Sequence, residues 1–351
     1  MKIAIITDQH FGARKNSKLF HDYFLEFYDK IFFPKLEELG ITCVIDMGDT
    51  FDNRTGINFS ALSWAKSNYY DRLQKMGVTV WTLVGNHTAY YKNTNSINAV
   101  DLLLREYDNV RVISEYTEVC IDGLGISFIP WINSENEDVT YSSIKKSKST
   151  VAMGHLELKG FAANKQCIMD HGADKSIYKN FTKVFSGHYH TRSVQDNVFY
   201  LGNPYEIYWN DVDDVRGFHI FDTDTLETTP INNPYKIFHK VYYEDTPYQL
   251  FDTSPYEDKI VKVIVKKKSD PKNFERFVDK FYTSNVSDLK IVENFDFNGW
   301  YSGNSDQELV ESENTLSILH RYIDDSDTTI DKSKIKDLIG EVYKEACEVV
   351  D

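Results

Sequence analysis

The chain has 351 residues and a formal net charge of −15, with 23 Tyr and 22 Phe in an otherwise ordinary globular composition; that length suits one large domain with a smaller one, or two to three modest units. The acidic balance excludes a simple nucleic-acid coating protein, which needs a basic face, and predicts weak binding to DNA without metal ions, a local patch or a partner. No apolar run has membrane-spanning length, no secretory leader opens the chain, and the four cysteines (Cys43, Cys120, Cys167, Cys347) form no CxxC pair, so reduced thiols and a cytoplasmic setting are expected.

In chain order, residues 2–6 read as a buried β-branched strand that ends abruptly in Asp8-x-His10. Residues 17–39 carry Phe20, Phe24, Phe27 and Ile31 at helical spacing, with Pro34 expected to kink or restart the helix. Residues 43–46 form a second buried strand, ending in Gly48-Asp49. A helix is expected over 57–76, a third strand from Thr79 into Gly85-Asn86-His87, a helix over 97–107 and a strand over 110–113. This β-α alternation is the signature of a layered, parallel sheet.

The chain then turns β-rich. Residues 118–121 and 125–129 read as a hairpin around Asp122-Gly123, and two more strands end in Gly154-His155 and Gly187-His188-x-His190. Strands over 198–201 and 217–222 are expected to complete a second sheet, giving a four-layer α/β sandwich. Beyond Pro234 a strand–strand–helix–strand pattern reads as a small α+β module, and 299–313 is polar and acidic, a linker composition. Ile335, Leu338, Ile339, Val342 and Tyr343 then recur at i, i+3 and i+4, the pattern of an amphipathic helix. The expected division is 1–230, a catalytic domain; 235–298, the small module; 299–314, the linker; and 315–351, a helical tail.

The chemistry collects at strand ends: Asp8, His10, Asp49, Asn86, His87, His155, His188 and His190, a set that includes five of the ten histidines. Open α/β sheets place ligand sites at such edges. All motifs but the first have glycine just before the ligand, letting the backbone turn and approach an ion closely. Carboxylate and imidazole without thiolate suit manganese, iron or zinc. Two ions ~3.5–4 Å apart can activate a water and hold both phosphate oxygens of an in-line displacement. One histidine set aside for acid catalysis leaves seven ligands for two such ions. Singly each motif reads as a cap or turn; the ordered set of five does not.

Together, Asp8-x-His10, Gly48-Asp49, Gly85-Asn86-His87, Gly154-His155 and Gly187-His188-x-His190 resemble the signature of the calcineurin-like metallophosphoesterases. Gly48-Asp49-Thr-Phe51-Asp52 and the C-terminal additions resemble the SbcD-type DNA-repair nuclease subunits within that superfamily. The stretches Gly154–Phe161 and Leu201–Tyr205 resemble the branch carried by T-even-type phages, the recombination endonuclease subunit. The resemblance covers residues 1 to about 230 by motif and the remainder by layout. It implies that Asp8, His10 and His190 hold one ion, that Asn86, His155 and His188 hold the other, that Asp49 bridges them, and that His87 stabilises the phosphate or protonates the leaving oxygen. It further implies two Mn2+ ions, double-strand 3′→5′ exonuclease and single-strand endonuclease activity, a DNA-facing cap over 235–298, a homodimer, and an SbcC-like ABC-type ATPase partner bound through the C-terminal helix. The expected compartment is the cytoplasm, that of the host cell if the chain is phage-encoded.

Thr88 departs from the family, which has an acid after Asn-His to orient the histidine and raise its pKa; Asp52 is a candidate substitute that the sequence alone does not establish. Two rivals remain at this stage: a phosphoprotein phosphatase or cyclic-nucleotide phosphodiesterase of the same superfamily, and a non-catalytic scaffold. Arg14-Lys15, Lys145-Lys146-Lys148 and Lys266-Lys267-Lys268 are candidate phosphate contacts. Tyr205, Tyr208 and Trp209 are candidate base-stacking residues, with core packing weighing at least equally, and Phe59, Leu62, Tyr69 and Tyr70 a candidate dimer face, with burial against the sheet the default.

Overall fold

A computed structural model describes residues 1–164, 167–245, 247–266, 270–293, 323 and 331–348. Its first sheet has six strands in the order Thr228–Asn232, Gly217–Asp222, Lys2–Ile6, Cys43–Asp46, Thr79–Leu83, Val110–Ile113. The last four run parallel, as the β-α alternation requires. The second sheet orders Ser193–Gln195, Val198–Tyr200, Lys183–Ser186, Val151–Gly154, Leu124–Ile129, Thr117–Ile121. The expected hairpin forms between its last two strands, with Asp122 and Gly123 both at positive φ (52° and 78°), the geometry of a two-residue hairpin turn.

Alternation along each strand separates the layers. Ile3 and Ile5 join Ile45, Leu83, Phe128, Met153 and Phe185 in a core between the sheets. Ala4 and Ile6 face the other way, into a core with Phe24, Phe27, Tyr69 and Tyr70 from the helices that cover the first sheet. A third core lies under the helix Glu137–Lys146 on the outer face of the second sheet. The result is the four-layer α/β sandwich.

The first helical stretch runs Lys18–Phe27 and Phe33–Leu39, joined by a wide π turn at Tyr28–Phe32. Pro34 falls in the first turn of the resumed helix, where its missing N–H costs nothing. Three expectations differ from what is observed. Gly217–Asp222 does not belong to the second sheet: it pairs antiparallel with Lys2–Ile6, Lys2 opposite Asp222. The helix expected over 97–107 is Ala99–Leu104, because Thr94–Asn98 pairs with Ala89–Tyr91 in a hairpin and Asn98 Oδ1 caps the helix at Asp101 N, 2.8 Å. The helix Glu137–Lys146 was not expected, since it buries only Thr140 and Ile144 and shows little apolar periodicity.

Phe238–Tyr242, Ile260–Val265 and Asp288–Glu293 form a separate three-stranded parallel sheet. The helix Pro271–Tyr282 buries Phe274, Phe277 and Phe281 in that module's own core. The contacts divide the chain into Met1–Asn294 and Phe295–Asp351. Within the second unit Lys332–Glu348 is helical, as its apolar spacing predicts, with Leu338 and Val342 exposed. The acidic stretch 299–313 lies outside the described residues. Among the described residues no helix is long and apolar enough to cross a membrane.

Candidate metal centre

The loops after the first two parallel strands zip together. Asp8 N donates to Gly48 O (3.0 Å), His10 N to Asp49 O (2.9 Å) and Phe11 N to Thr50 O (2.8 Å). This course puts Asp8, His10 and Asp49 at positive φ (52°, 47° and 52°), a local cost of about 1–3 kcal/mol each that the surrounding bonds offset. The glycines are required mainly by close approach. A Cβ on Gly85 would strike the Asp49 carboxylate, and one on Gly187 would strike Thr7 Oγ1 and Asp8 Oδ2.

All eight residues singled out in the sequence converge. Asp8, His10 and His190 each offer one donor atom within 4.8 Å of the others, as do Asp49, His155 and His188. His10 Nε2 lies 3.2 Å from His190 Nε2. Asn86 Oδ1 lies 2.9 Å from His155 Nε2 and 3.1 Å from His188 Nδ1, and Asp49 Oδ2 lies 3.1 Å from the same His155 Nε2. Asp8, His155, His10 and Asp49 are all at most 2% exposed.

The donor set fits divalent cations. The Met47 carbonyl can only accept, so His155 Nδ1 (3.0 Å away) carries a proton. Burial opposes a second, yet Asp49 beside Nε2 pushes the ring up to about 9, and a bound cation would take the place of that Nε2 proton. His10 Nδ1 lies 3.1 Å from Asp52 Oδ1, a carboxylate behind an imidazole that leaves His10 Nε2 to a metal. Burial pushes His188 down to about 3 and holds His190 well below its ordinary range, so both rings are neutral. Burial pushes Asp8 up; it also opposes the charge on Asp49, yet His155 and His87 hold that carboxyl well below its usual range. A cation placed among these groups removes the cost of burying the carboxylates.

His87 lies beside these donors. Its backbone N–H donates to Asp49 Oδ1 at 2.8 Å, and its ring meets His10 edge-on at 4.9 Å. Its Nδ1 is 2.6 Å from the main-chain carbonyl of Asp52, so Nδ1 carries the proton and Nε2 is presented outward. Asp52 thus orients His87 through its backbone carbonyl, while its carboxylate, the group that would stand in for the missing acid, faces His10 instead. Thr88 is wholly buried, its hydroxyl bonded to both Gly85 N and Gly85 O, and holds the turn shut.

Several supporting residues escaped the sequence reading. Gln9, between two of the site residues, is clamped: its amide donates to Asp46 (2.8 Å), Tyr28 donates to its side-chain oxygen, and Tyr205 donates to its carbonyl (2.6 Å). The one available signal was an acid, Asp46, inside an apolar strand. Arg54 Nη2 donates to the Asn86 carbonyl at 2.7 Å. Arg216 is buried, donates to the His190 carbonyl and to Asn203, and pairs with Asp211 and Asp214 at 3.1 Å each.

The remaining candidates sort by burial. Tyr205 is wholly buried and stacked on Phe24 at 3.8 Å, so it presents no face to a base. Trp209 packs on Phe238 under the Lys262 ammonium. Tyr208 stacks toward His190 at 6.3 Å, and the Arg14 guanidinium lies 5.8 Å from its ring centre. Tyr69 and Tyr70 are core residues, whereas Phe59 is 89% exposed. Arg14, Lys15 and Asn16 run successively through the left-handed region. Lys145 and Lys146 end the helix Glu137–Lys146 and are exposed; Lys267 and Lys268 lie outside the described residues.

The family model of the calcineurin-like phosphoesterases matches residues 1–192. Exonuclease subunit 1 of enterobacteria phage T4 is 32% identical over 352 residues, covering 99% of this chain and 100% of that protein. Among solved structures, an archaeal phosphodiesterase aligns at 15% identity over 66% of this chain and 100% of its own, with a TM-score of 0.36. A calcineurin-like phosphoesterase of Bacillus subtilis aligns at 11% identity over 66% and 88%, with a TM-score of 0.34.

Proposed function

The chain belongs to the calcineurin-like phosphoesterases, and from that premise we propose that it is a two-metal DNA nuclease subunit acting in recombination and repair. The observation that carries this reading is the convergence of two clusters, Asp8–His10–His190 and Asp49–His155–His188, with Asn86 Oδ1 within 3.1 Å of both histidines of the second. Full-length similarity to an exonuclease subunit supports DNA as substrate and a partner protein.

Asp8, His10 and His190 would hold one ion and Asn86, His155 and His188 the other, with Asp49 shared. Manganese suits these nitrogen and oxygen donors. When bound, the pair supplies Lewis acidity and a water acidified toward neutrality. The residues do the rest. Arg54 fixes the Asn86 backbone, Asp52 fixes the His87 tautomer, and His87 directs Nε2 to the phosphate, where its protonated form donates to the departing oxygen. The finer reading is double-strand 3′→5′ exonuclease and single-strand endonuclease activity in a homodimer. An SbcC-like ABC-type ATPase binds the C-terminal helix, whose exposed Leu338 and Val342 favour a partner. Residues 235–298 form a cap facing DNA.

The test is Mn2+-dependent hydrolysis of end-labelled duplex DNA beside a small aryl phosphodiester, comparing the wild type with His87→Ala and Asp49→Ala. Shortened DNA with the wild type and none with either variant is expected. Cleavage of the small ester alone, with the ATPase present, would overturn DNA as the substrate. Metal binding without turnover of either would overturn the enzyme reading.

A further inference from the structure

A cavity of about 340 Å3 opens beside the second cluster, with His155 in its wall, and the two-metal chemistry does not use it. Its size is that of a small-molecule pocket. Three aromatic side chains line it: Trp131, Tyr141 and Tyr178. The Trp131 ring lies 5.3 Å from that of His188 and 6.2 Å from that of His155, so the cavity begins where the metal centre ends. Tyr178 is wholly buried, and its hydroxyl has no protein partner. Glu137 and Tyr141 stand four residues apart on the helix Glu137–Lys146, one helical face turned to the cavity, and Glu157 lines it too.

This chemistry is selective. Glu157 is paired with His171 at 3.0 Å, so the exposed Glu137 carboxylate sets the charge at the opening and disfavours a phosphodiester backbone there. Flat aromatic walls accept a planar heterocycle, and the Glu137 carboxylate accepts the amino and imino N–H groups that bases display. Enzymes that act on a nucleotide out of its stack hold the base in this way, between aromatic faces. We infer that the cavity is a nucleobase subsite: it receives the unstacked base of the nucleotide whose phosphate lies at the metal centre. The inference rests on the phosphodiesterase reading for its geometry, but binding of a base is independent of turnover.

Equilibrium dialysis of labelled thymidine, which has no scissile bond, against the full chain with Mn2+ tests it. Saturable binding to the wild type is expected, with affinity about tenfold weaker in Tyr141→Ala and restored in Tyr141→Phe, because the ring rather than the hydroxyl does the stacking. Ser134→Leu, at an exposed rim position, should also weaken binding and does not depend on the core tolerating a truncation. No saturable binding, or equal affinity in wild type, Tyr141→Ala and Ser134→Leu, would overturn the inference. In parallel, kcat/KM is compared for thymidine 5′-(p-nitrophenyl phosphate) and methyl p-nitrophenyl phosphate. The wild type should favour the nucleotide ester about tenfold, mainly through KM, and Tyr141→Ala should bring the ratio toward one. Equal efficiency on both esters in the wild type leaves a phosphodiesterase without this subsite. Tyr141-dependent thymidine binding without hydrolysis of either ester leaves the subsite and removes the nuclease reading.

Discussion

Asp52 serves two histidines with two different groups: its main-chain carbonyl takes the His87 Nδ1–H at 2.6 Å, while its carboxylate stands 3.1 Å behind His10 Nδ1. The two roles separate by mutation. Asp52→Ala keeps the carbonyl, hence the His87 tautomer, but removes the charge behind His10. The expected outcome is about a 10–100-fold loss of Mn2+ affinity, with kcat at saturating metal falling far less. His87→Ala should do the reverse, lowering kcat by roughly 10²–10⁴ while leaving metal affinity within a few-fold. Metal titrations of activity, with calorimetry for affinity, check both; a kcat collapse in Asp52→Ala at saturating Mn2+ would mean that the carboxylate acts on His87 after all.

Gly85 makes no turn that needs glycine; its φ is not positive, and the constraint is Asp49, whose carboxylate and main-chain N both lie within 2.6 Å of where a Cβ would sit. Gly85→Ala must therefore displace the carboxylate assigned to both ions. A stability loss of about 1–3 kcal/mol is expected from the overlap, together with fewer than two ions bound per chain. Mass spectrometry of the native protein counts the ions, and thermal melting reports the strain. Two bound ions in a fully active Gly85→Ala protein would show that Asp49 can move without consequence.

Asp8 and Asp49 are buried carboxylates, and among the described residues no lysine or arginine pairs with them, so bound cations should stabilise the fold. At a free Mn2+ concentration a hundred times the dissociation constant, the gain is about 2.7 kcal/mol per site. Chelation should lower the melting temperature by several degrees, and readdition of Mn2+ should restore it. Asp8→Asn removes the charge that burial disfavours. Its metal-free form should melt no lower than metal-free wild type, while its metal-dependent increment shrinks. An increment equal to that of the wild type would remove Asp8 from the ligand set.

How much of this was legible follows from what each residue acts through. Asp8, His10, Asp49, Asn86, His155, His188 and His190 announce themselves because each follows an apolar strand and acts by its side chain. Asp52 holds His87, and Arg54 holds Asn86, through main-chain carbonyls, which any residue type supplies; nothing in the sequence marks such a bond. The misplacement of Gly217–Asp222 has a related cause. An antiparallel strand added beyond a parallel sheet can join either layer, and only its pairing with Lys2–Ile6 decides. Tyr28 reads as a generic aromatic and Tyr205 as a candidate base-stacking or core residue, yet both direct a hydroxyl onto Gln9 and fix the loop between Asp8 and His10.

The buried acid beneath that loop gives the fold a pH dependence. Burial pushes Asp46 up to about 7, with the donors Thr50, Gly48 and Gln9 pulling it back. Its carboxyl therefore binds a proton more tightly in the folded chain than in the unfolded one. That contribution to stability is fully present below the ordinary value of 3.8 and is lost as pH rises through about 7. A shift of this size corresponds to on the order of 4 kcal/mol as an upper bound. Other carboxylates, such as Asp174, held down to about 2 by Ser176 and Lys159, slope the opposite way at lower pH, so the comparison must be internal. Asp46→Asn keeps the shape and cannot titrate. Between pH 4 and 7.5 the stability of wild type relative to Asp46→Asn should fall steadily, then level off above pH 7.5. Denaturant unfolding at each pH, in chelator so that metal affinity does not enter, reads the difference directly. A flat difference across that window would mean that Asp46 stays ionised in the folded chain, its hydrogen bonds outweighing its burial.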